Sequence, residues 1–117
     1  MKVRVERPTR ILYPDATVVC GASDLAGDGD DEMLLNPNIV FELRSRRLDY
    51  YSPIESLREY VLVSTDEYRV EHFERTGDAW RYSKAEGIDA MLALPAANGE
   101  LPLREIYYQV LESSAPT

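Results

Sequence analysis

Tyr13-Pro14-Asp15-Ala16-Thr17-Val18-Val19-Cys20-Gly21 and, beyond a loop, Asn38-Ile39-Val40-Phe41-Glu42-Leu43-Arg44-Ser45 are the two segments whose reading decides the fold. Each is an apolar run rich in β-branched residues with one carboxylate set into it, Asp15 at the mouth of the first and Glu42 inside the second. Runs of this kind, bounded by turn residues, read as neighbouring strands of a buried sheet. A carboxylate inside such a strand is costly to desolvate, so it needs a cation, a metal ion or hydrogen-bond donors beside it. Two carboxylates on adjacent strands can share one ion.

Working outward, residues 21–37 form a loop that carries Asp24, Asp28, Asp30, Asp31 and Glu32 among three glycines. An EF-hand counted from Asp28 would need Gly at its sixth position and Glu at its twelfth, where this chain has Met33 and Ile39. The calcium reading fails and a solvated acidic loop remains. Upstream, Val3 and Val5 alternate with Lys2, Arg4 and Glu6 in a short edge or lead-in strand that Pro8 stops. Ala16 to Cys20 and Ile39 to Arg44 are predicted as central strands. Downstream, residues 59–65, 68–75, 80–84 and 88–94 read as short strands separated by turn-forming Asp, Glu and Gly residues, the pattern of an antiparallel meander. Tyr60, Leu62, Val70, Trp80 and Tyr82 are its candidate core or half-buried positions. From Glu100 to Leu111, apolar Leu103, Ile106, Tyr107, Val110 and Leu111 recur at helical spacing and predict a closing helix, with Pro102 in its first turn. The expected class is α/β, a central mixed β-sheet extended by an antiparallel meander, with a C-terminal helix.

At 117 residues the chain fits one domain, and 44% hydrophobic with 29% charged residues is the composition of a globular protein. No apolar run approaches the ~20 residues of a membrane span, and the start Met-Lys-Val-Arg-Val-Glu-Arg is too charged for a signal peptide, so no membrane association and a cytoplasmic setting are expected. The single Cys20 excludes an internal disulfide and reads as a buried thiol. His72, the only histidine, alternates with charged residues and reads as a surface strand position. The eight tyrosines read as packing residues, because no basic cluster interleaves with them. A net charge of −8 argues against tight nonspecific binding of nucleic acid, although an acidic metal site itself contributes to such a charge.

Pro14-Asp15 followed by Glu42-Leu43-Arg44 resembles the PD-(D/E)xK nuclease signature. Four blocks resemble, in order, the Uma-two family of restriction-endonuclease-like proteins: Tyr13 to Gly21, Phe41 to Ser45, Ser56 to Val63 and Glu100 to Tyr107. The resemblance implies a single restriction-endonuclease-like domain over residues 1–117 that lacks the family's N-terminal segment. It also implies Mg²⁺ or Mn²⁺ held by Asp15 and Glu42, hydrolysis of DNA phosphodiesters, and phosphate contacts from Arg44 or Arg47. Where the family pattern has Lys this sequence has Arg: Arg44 fills the Glu-x-Lys slot, and Leu48-Asp49-Tyr50-Tyr51 aligns Arg47 with a helix Lys. Arg stays protonated, so it can stabilise charge but is a poor base. The turn that family members carry after the Glu strand is shortened as well. Three readings therefore stand. The chain is a metal-dependent DNA endonuclease; or it is a noncatalytic α/β binding or oligomerisation module derived from that family, with a second copy or a protein partner covering its sheet; or Asp15 caps a turn and Glu42 pairs with Arg44 or Arg47 in a purely structural role.

Overall fold

The computed structural model describes residues 2–6, 9–27, 32–43 and 47–114. In chain order these form strands β1 (Val3–Glu6), β2 (Thr9–Leu12), β3 (Ala16–Val18), β4 (Leu25–Ala26), β5 (Met33–Leu34) and β6 (Ile39–Leu43). Helix α1 (Leu48–Tyr51) follows, then β7 (Glu59–Val63), β8 (Arg69–Thr76), β9 (Ala79–Glu86) and β10 (Met91–Leu94). A 3₁₀ turn (Pro95–Ala97), β11 (Gly99–Pro102) and helix α2 (Leu103–Ser114) complete the chain.

The principal sheet has the order β3-β6-β7-β8-β9. β6 and β7 run parallel, joined by the crossover that contains α1, and the remaining pairs are antiparallel. The sheet is therefore mixed, and β7-β8-β9 is the meander read from the sequence. Because side chains alternate across a strand, β6 sends Ile39 and Phe41 to one face and Val40 and Glu42 to the other. The first face packs on α2 through Leu103, Ile106, Tyr107 and Val110, and on Leu92 and Leu94. The second packs on Val3, Val5, Leu12 and Leu34 of a smaller sheet ordered β2-β1-β5-β4, and on Tyr51, Ile54 and Leu57. Residues 39–42 are buried on both faces, which is why the strand reads as a continuous apolar run rather than an alternation.

Several expectations give way. β3 lies at the edge of its sheet and ends at Val18, since the next backbone donors leave the ladder: the Cys20 N–H bonds the Asn38 side-chain oxygen at 2.5 Å. Cys20 is exposed, not buried, and its thiol donates to the Ala96 carbonyl at 3.1 Å. The lead-in strand is a hairpin, β1 against β2, in a second sheet whose β4 and β5 arise within the acidic loop. Met91–Leu94 leaves the meander and pairs instead with Gly99–Pro102, Leu94 standing opposite Gly99 across a turn in which Asn98 takes φ 54°. Glu100 to Pro102 are thus strand, and the helix begins only at Leu103, where the Leu103 and Arg104 N–H groups bond the carbonyls of Ala90 and Ile88. Tyr82 is 48% exposed because the smaller sheet does not extend over β9. No helix among the described residues is long and apolar enough to cross a membrane.

Candidate functional site

Strand register brings Asp15 and Glu42 together. Ala16 pairs with Phe41 in the antiparallel β3–β6 ladder, so one step further sets Asp15 opposite Glu42. The chain confirms that step with two bonds that bracket Glu42: the Asp15 N–H donates to the Phe41 carbonyl at 3.1 Å, and the Leu43 N–H donates to Asp15 Oδ2 at 2.7 Å. Pro14, buried and without an N–H, ends the pairing there. Cross-strand neighbours have Cβ atoms ~5 Å apart, which is close enough for one ion to serve both carboxylates.

Glu42 is only 6% exposed, and its two oxygens are held by tyrosine hydroxyls. Tyr51 Oη donates to Oε1 at 2.7 Å and Tyr60 Oη donates to Oε2 at 2.9 Å, while the Arg47 N–H donates to Tyr60 Oη at 2.8 Å. Both rings sit on the Glu42 face of the sheet, Tyr51 at the end of α1 and Tyr60 on the neighbouring parallel strand, 5.7 Å apart between centroids. Burial pushes the Glu42 carboxyl above its ordinary range; the two tyrosine hydroxyls oppose that shift, the Asp15 charge adds to it, and Arg47 pulls it back. Burial first, reinforced by the Glu42 carboxylate, also raises both tyrosines well above their ordinary value, so they act as neutral donors. Tyr60→Phe removes one donor to Glu42 and leaves the Arg47 N–H without its acceptor. We expect it to destabilise the fold by ~1–3 kcal/mol in urea unfolding and to push the Glu42 carboxyl further up; a variant as stable as the parent would show that water replaces the hydroxyl.

Of the four residues expected at a site, the structure joins Asp15 and Glu42 directly and places Arg47 beside them, while Arg44 lies outside the described residues. Arg47 makes no ion pair with Glu42; the oxygens that the structural reading gave to an arginine are taken by Tyr51 and Tyr60. Those two tyrosines carried a signal in the sequence, since Tyr60 lies in phase with the buried face of its strand, but their convergence on Glu42 depends on the crossover. No group of three or more His, Cys, Asp or Glu side chains gathers as a metal cluster among the described residues. The two-carboxylate donor set nevertheless fits a hard cation such as Mg²⁺, which binds through one or two carboxylates and keeps several waters. Asp15 Oδ1 has no hydrogen-bond partner among the described residues, and each Glu42 oxygen retains a lone pair beyond the one its tyrosine uses.

The opposite face of the sheet holds a second buried polar pair that the sequence misplaced. His72 is 6% exposed rather than on the surface, and its Nε2 lies 2.6 Å from Glu59 Oε1, while Glu59 Oε2 accepts the Ala96 N–H at 2.7 Å. The β7–β8 register sets His72 opposite Val61 and Glu59 opposite Glu74, so histidine and carboxylate meet diagonally under the 3₁₀ turn. Alternation with charged residues put His72 on the outside; the turn at 95–97 covers that face and makes it inside.

A family model described as "Putative restriction endonuclease", Uma2, matches residues 1–103. Among curated proteins, an "Uncharacterized protein" of Synechocystis sp. is 25% identical over 100 residues, covering 77% of this chain and 56% of that protein. The chain thus spans about half the length of the curated relative it matches. Among solved structures, similarity extends to the "putative nuclease belonging to DUF820" from Anabaena variabilis, at 16% identity and a TM-score of 0.47, over 68% of this chain and 48% of that one. Since the family model covers all of the sheet and both candidate carboxylates, the chain belongs to the Uma2 family.

Proposed function

We propose that residues 1–117 form a single restriction-endonuclease-like domain that takes part in metal-dependent hydrolysis of DNA phosphodiesters, with Asp15 and Glu42 as the ligands of Mg²⁺ or Mn²⁺. The observation that carries this reading is the cross-strand placement of Asp15 against Glu42, fixed by two hydrogen bonds on either side of Glu42, one to the Phe41 carbonyl and one to the Asp15 side chain. A bound divalent ion there would lower the pKa of a coordinated water and offset charge on the scissile phosphate. Tyr51 and Tyr60 hold Glu42 in one rotamer, and the bond from Leu43 holds Asp15. Arg47 contributes a fixed cation for phosphate oxygens, a role Arg44 is also proposed to share. Neither arginine can serve as the base, because a guanidinium does not give up its proton in this range.

The experiment is calorimetric titration of Mg²⁺ and Mn²⁺ into the purified chain and into an Asp15→Asn, Glu42→Gln double variant at matched ionic strength. Binding by the parent that is lost in the variant supports the site; equal weak binding by both, or none, transfers the cations to the acidic loop and removes the proposal. The noncatalytic alternative draws on a different observation. The open edge of β3 borders an apolar groove of about 550 Å³ lined by Ala16, Val18, Phe41, Leu94, Ile106 and Val110, and an unpaired strand edge beside apolar surface invites a second copy of the chain. Sedimentation that shows a dimer with no metal binding would favour it.

A further inference from the structure

The fold brings a second cation to a tyrosine that already has Arg47 three residues before it. Arg10, on β2 opposite Val5, carries its guanidinium carbon 4.3 Å from the centroid of the Tyr50 ring, and Arg47 carries its own 5.6 Å from the same centroid. Both arginines are exposed, and Tyr50 is 37% exposed. Two like charges converging on one ring repel each other, so the arrangement favours an anion between or beside them. Arg4, Arg69, Arg81 and Arg104 each have a carboxylate in an ion pair. Among the described residues Arg10 and Arg47 have none within that reach, in a chain whose net charge is −8. This pair is therefore a local basic spot that the composition conceals.

Its position relates it to the carboxylates. Arg10 and Asp15 lie on one short segment, and Tyr50 adjoins Tyr51, whose hydroxyl holds Glu42. The Arg47 N–H is bonded to Tyr60, which holds the other Glu42 oxygen. The same two stretches, 10–15 and 47–51, thus carry the cationic pair together with Asp15 and with Tyr51, one of the two donors to Glu42. A guanidinium presents a planar fork of donors that matches two phosphate oxygens, and an aromatic face restricts where that fork points.

We infer that Arg10 and Arg47, gathered on the Tyr50 ring, form a phosphate clamp that takes a backbone phosphate of a DNA strand next to the one addressed by Asp15 and Glu42. Arg10 is the contact residue newly assigned, and Tyr50 is a positioning residue that acts through it. The identity of the strand rests on the endonuclease reading; the presence of an anion site does not.

The test is fluorescence anisotropy of a labelled DNA duplex titrated with the full chain in EDTA, at several salt concentrations, so that metal binding plays no part. Arg10→Gln is expected to weaken binding about fivefold, which corresponds to one lost contact, and to reduce the slope of log affinity against log salt by about 0.9. Tyr50→Leu should weaken binding similarly, whereas Tyr50→Phe keeps the ring and should bind like the parent. Unlabelled duplex should displace the probe far better than inorganic phosphate at equal phosphate concentration. The Asp15→Asn, Glu42→Gln variant should still bind DNA in EDTA even though it has lost its metal, so failure of the clamp and failure of the metal site are read separately. An Arg10→Gln variant with unchanged affinity and salt slope, or a parent that does not bind duplex, overturns the clamp. Displacement by inorganic phosphate as effective as by duplex would make this a free-phosphate site and overturn the strand assignment.

Discussion

Glu42→Gln is expected to abolish metal-dependent cleavage, a loss of more than about a hundredfold, the scale of one missing transition-state contact, and at the same time to make the domain more stable at neutral pH. The second effect follows from burial. The carboxyl is raised above its ordinary value of 4.5 because the folded state desolvates it, so between that value and the folded one the native state binds more protons than the unfolded chain. Stability then falls as pH rises through this window, and the penalty is complete above the folded value. Glutamine keeps the length and one acceptor for a tyrosine hydroxyl while removing the charge. Replacing a buried charge by a neutral group of similar shape is commonly neutral or stabilising, and ~1 kcal/mol, or about 4 °C in melting temperature, is the expected gain. The gain should vanish below about pH 4, where parent and variant are both uncharged at this position. Thermal melts across pH, run beside a plasmid-cleavage assay with Mn²⁺, check both halves. A variant that is less stable than the parent at pH 7 would identify Glu42 as a structural acceptor and undercut the metal reading.

The largest loss of stability is expected on the other face of the same sheet. Glu59→Ala removes the partner of His72 and the acceptor of the Ala96 N–H in one step, leaving two buried polar groups unpaired and a gap under the 3₁₀ turn. About 3–5 kcal/mol is expected in urea unfolding, the range for breaking a buried ionisable pair by deleting one member. Glu59→Gln, which can still accept from Ala96 and meet the imidazole, should lose only about 1 kcal/mol. The contrast between the two variants separates hydrogen bonding from charge. A Glu59→Ala loss below ~1 kcal/mol would mean that water enters beneath residues 95–97 and satisfies both groups. Because this pair lies across the sheet from Asp15 and Glu42, cleavage by whatever fraction remains folded should be unchanged.

Local pattern made much of this molecule legible. The apolar run 39–43 could only be a strand buried on both faces, the turn residues at 76–78 predicted the β8–β9 hairpin, and the three- and four-residue spacing of Leu103, Ile106, Tyr107 and Val110 predicted the face of α2 that packs on the sheet. These features depend on neighbours in sequence, through backbone preference and the period at which side chains return to one face. The same logic singled out Asp15 and Glu42, since a carboxylate inside an apolar strand demands a partner wherever the chain goes.

What covers each face and which side chains meet was decided by tertiary structure alone. His72 alternates with charged residues yet is buried, because a turn twenty-three positions later closes over it; Cys20 sits in an apolar run yet is exposed, because β3 ends two residues earlier at a sheet edge. Nothing near residue 91 in the sequence shows that β10 will abandon the meander for β11, a choice made by pairing across the turn at Asn98. The partners of Glu42, Tyr51 and Tyr60, come from a crossover helix and a parallel neighbour, and Arg10 reaches Tyr50 from a separate hairpin. The sequence by itself determined the strands of the principal sheet, the apolar face of the terminal helix and the two carboxylates within their strands, because those follow from short-range periodicity and desolvation. Only long-range pairing within the sheet and the crossover before β7 decided that the carboxylates face each other and that tyrosine hydroxyls hold Glu42, because strand register is set by which apolar faces are available to be buried together.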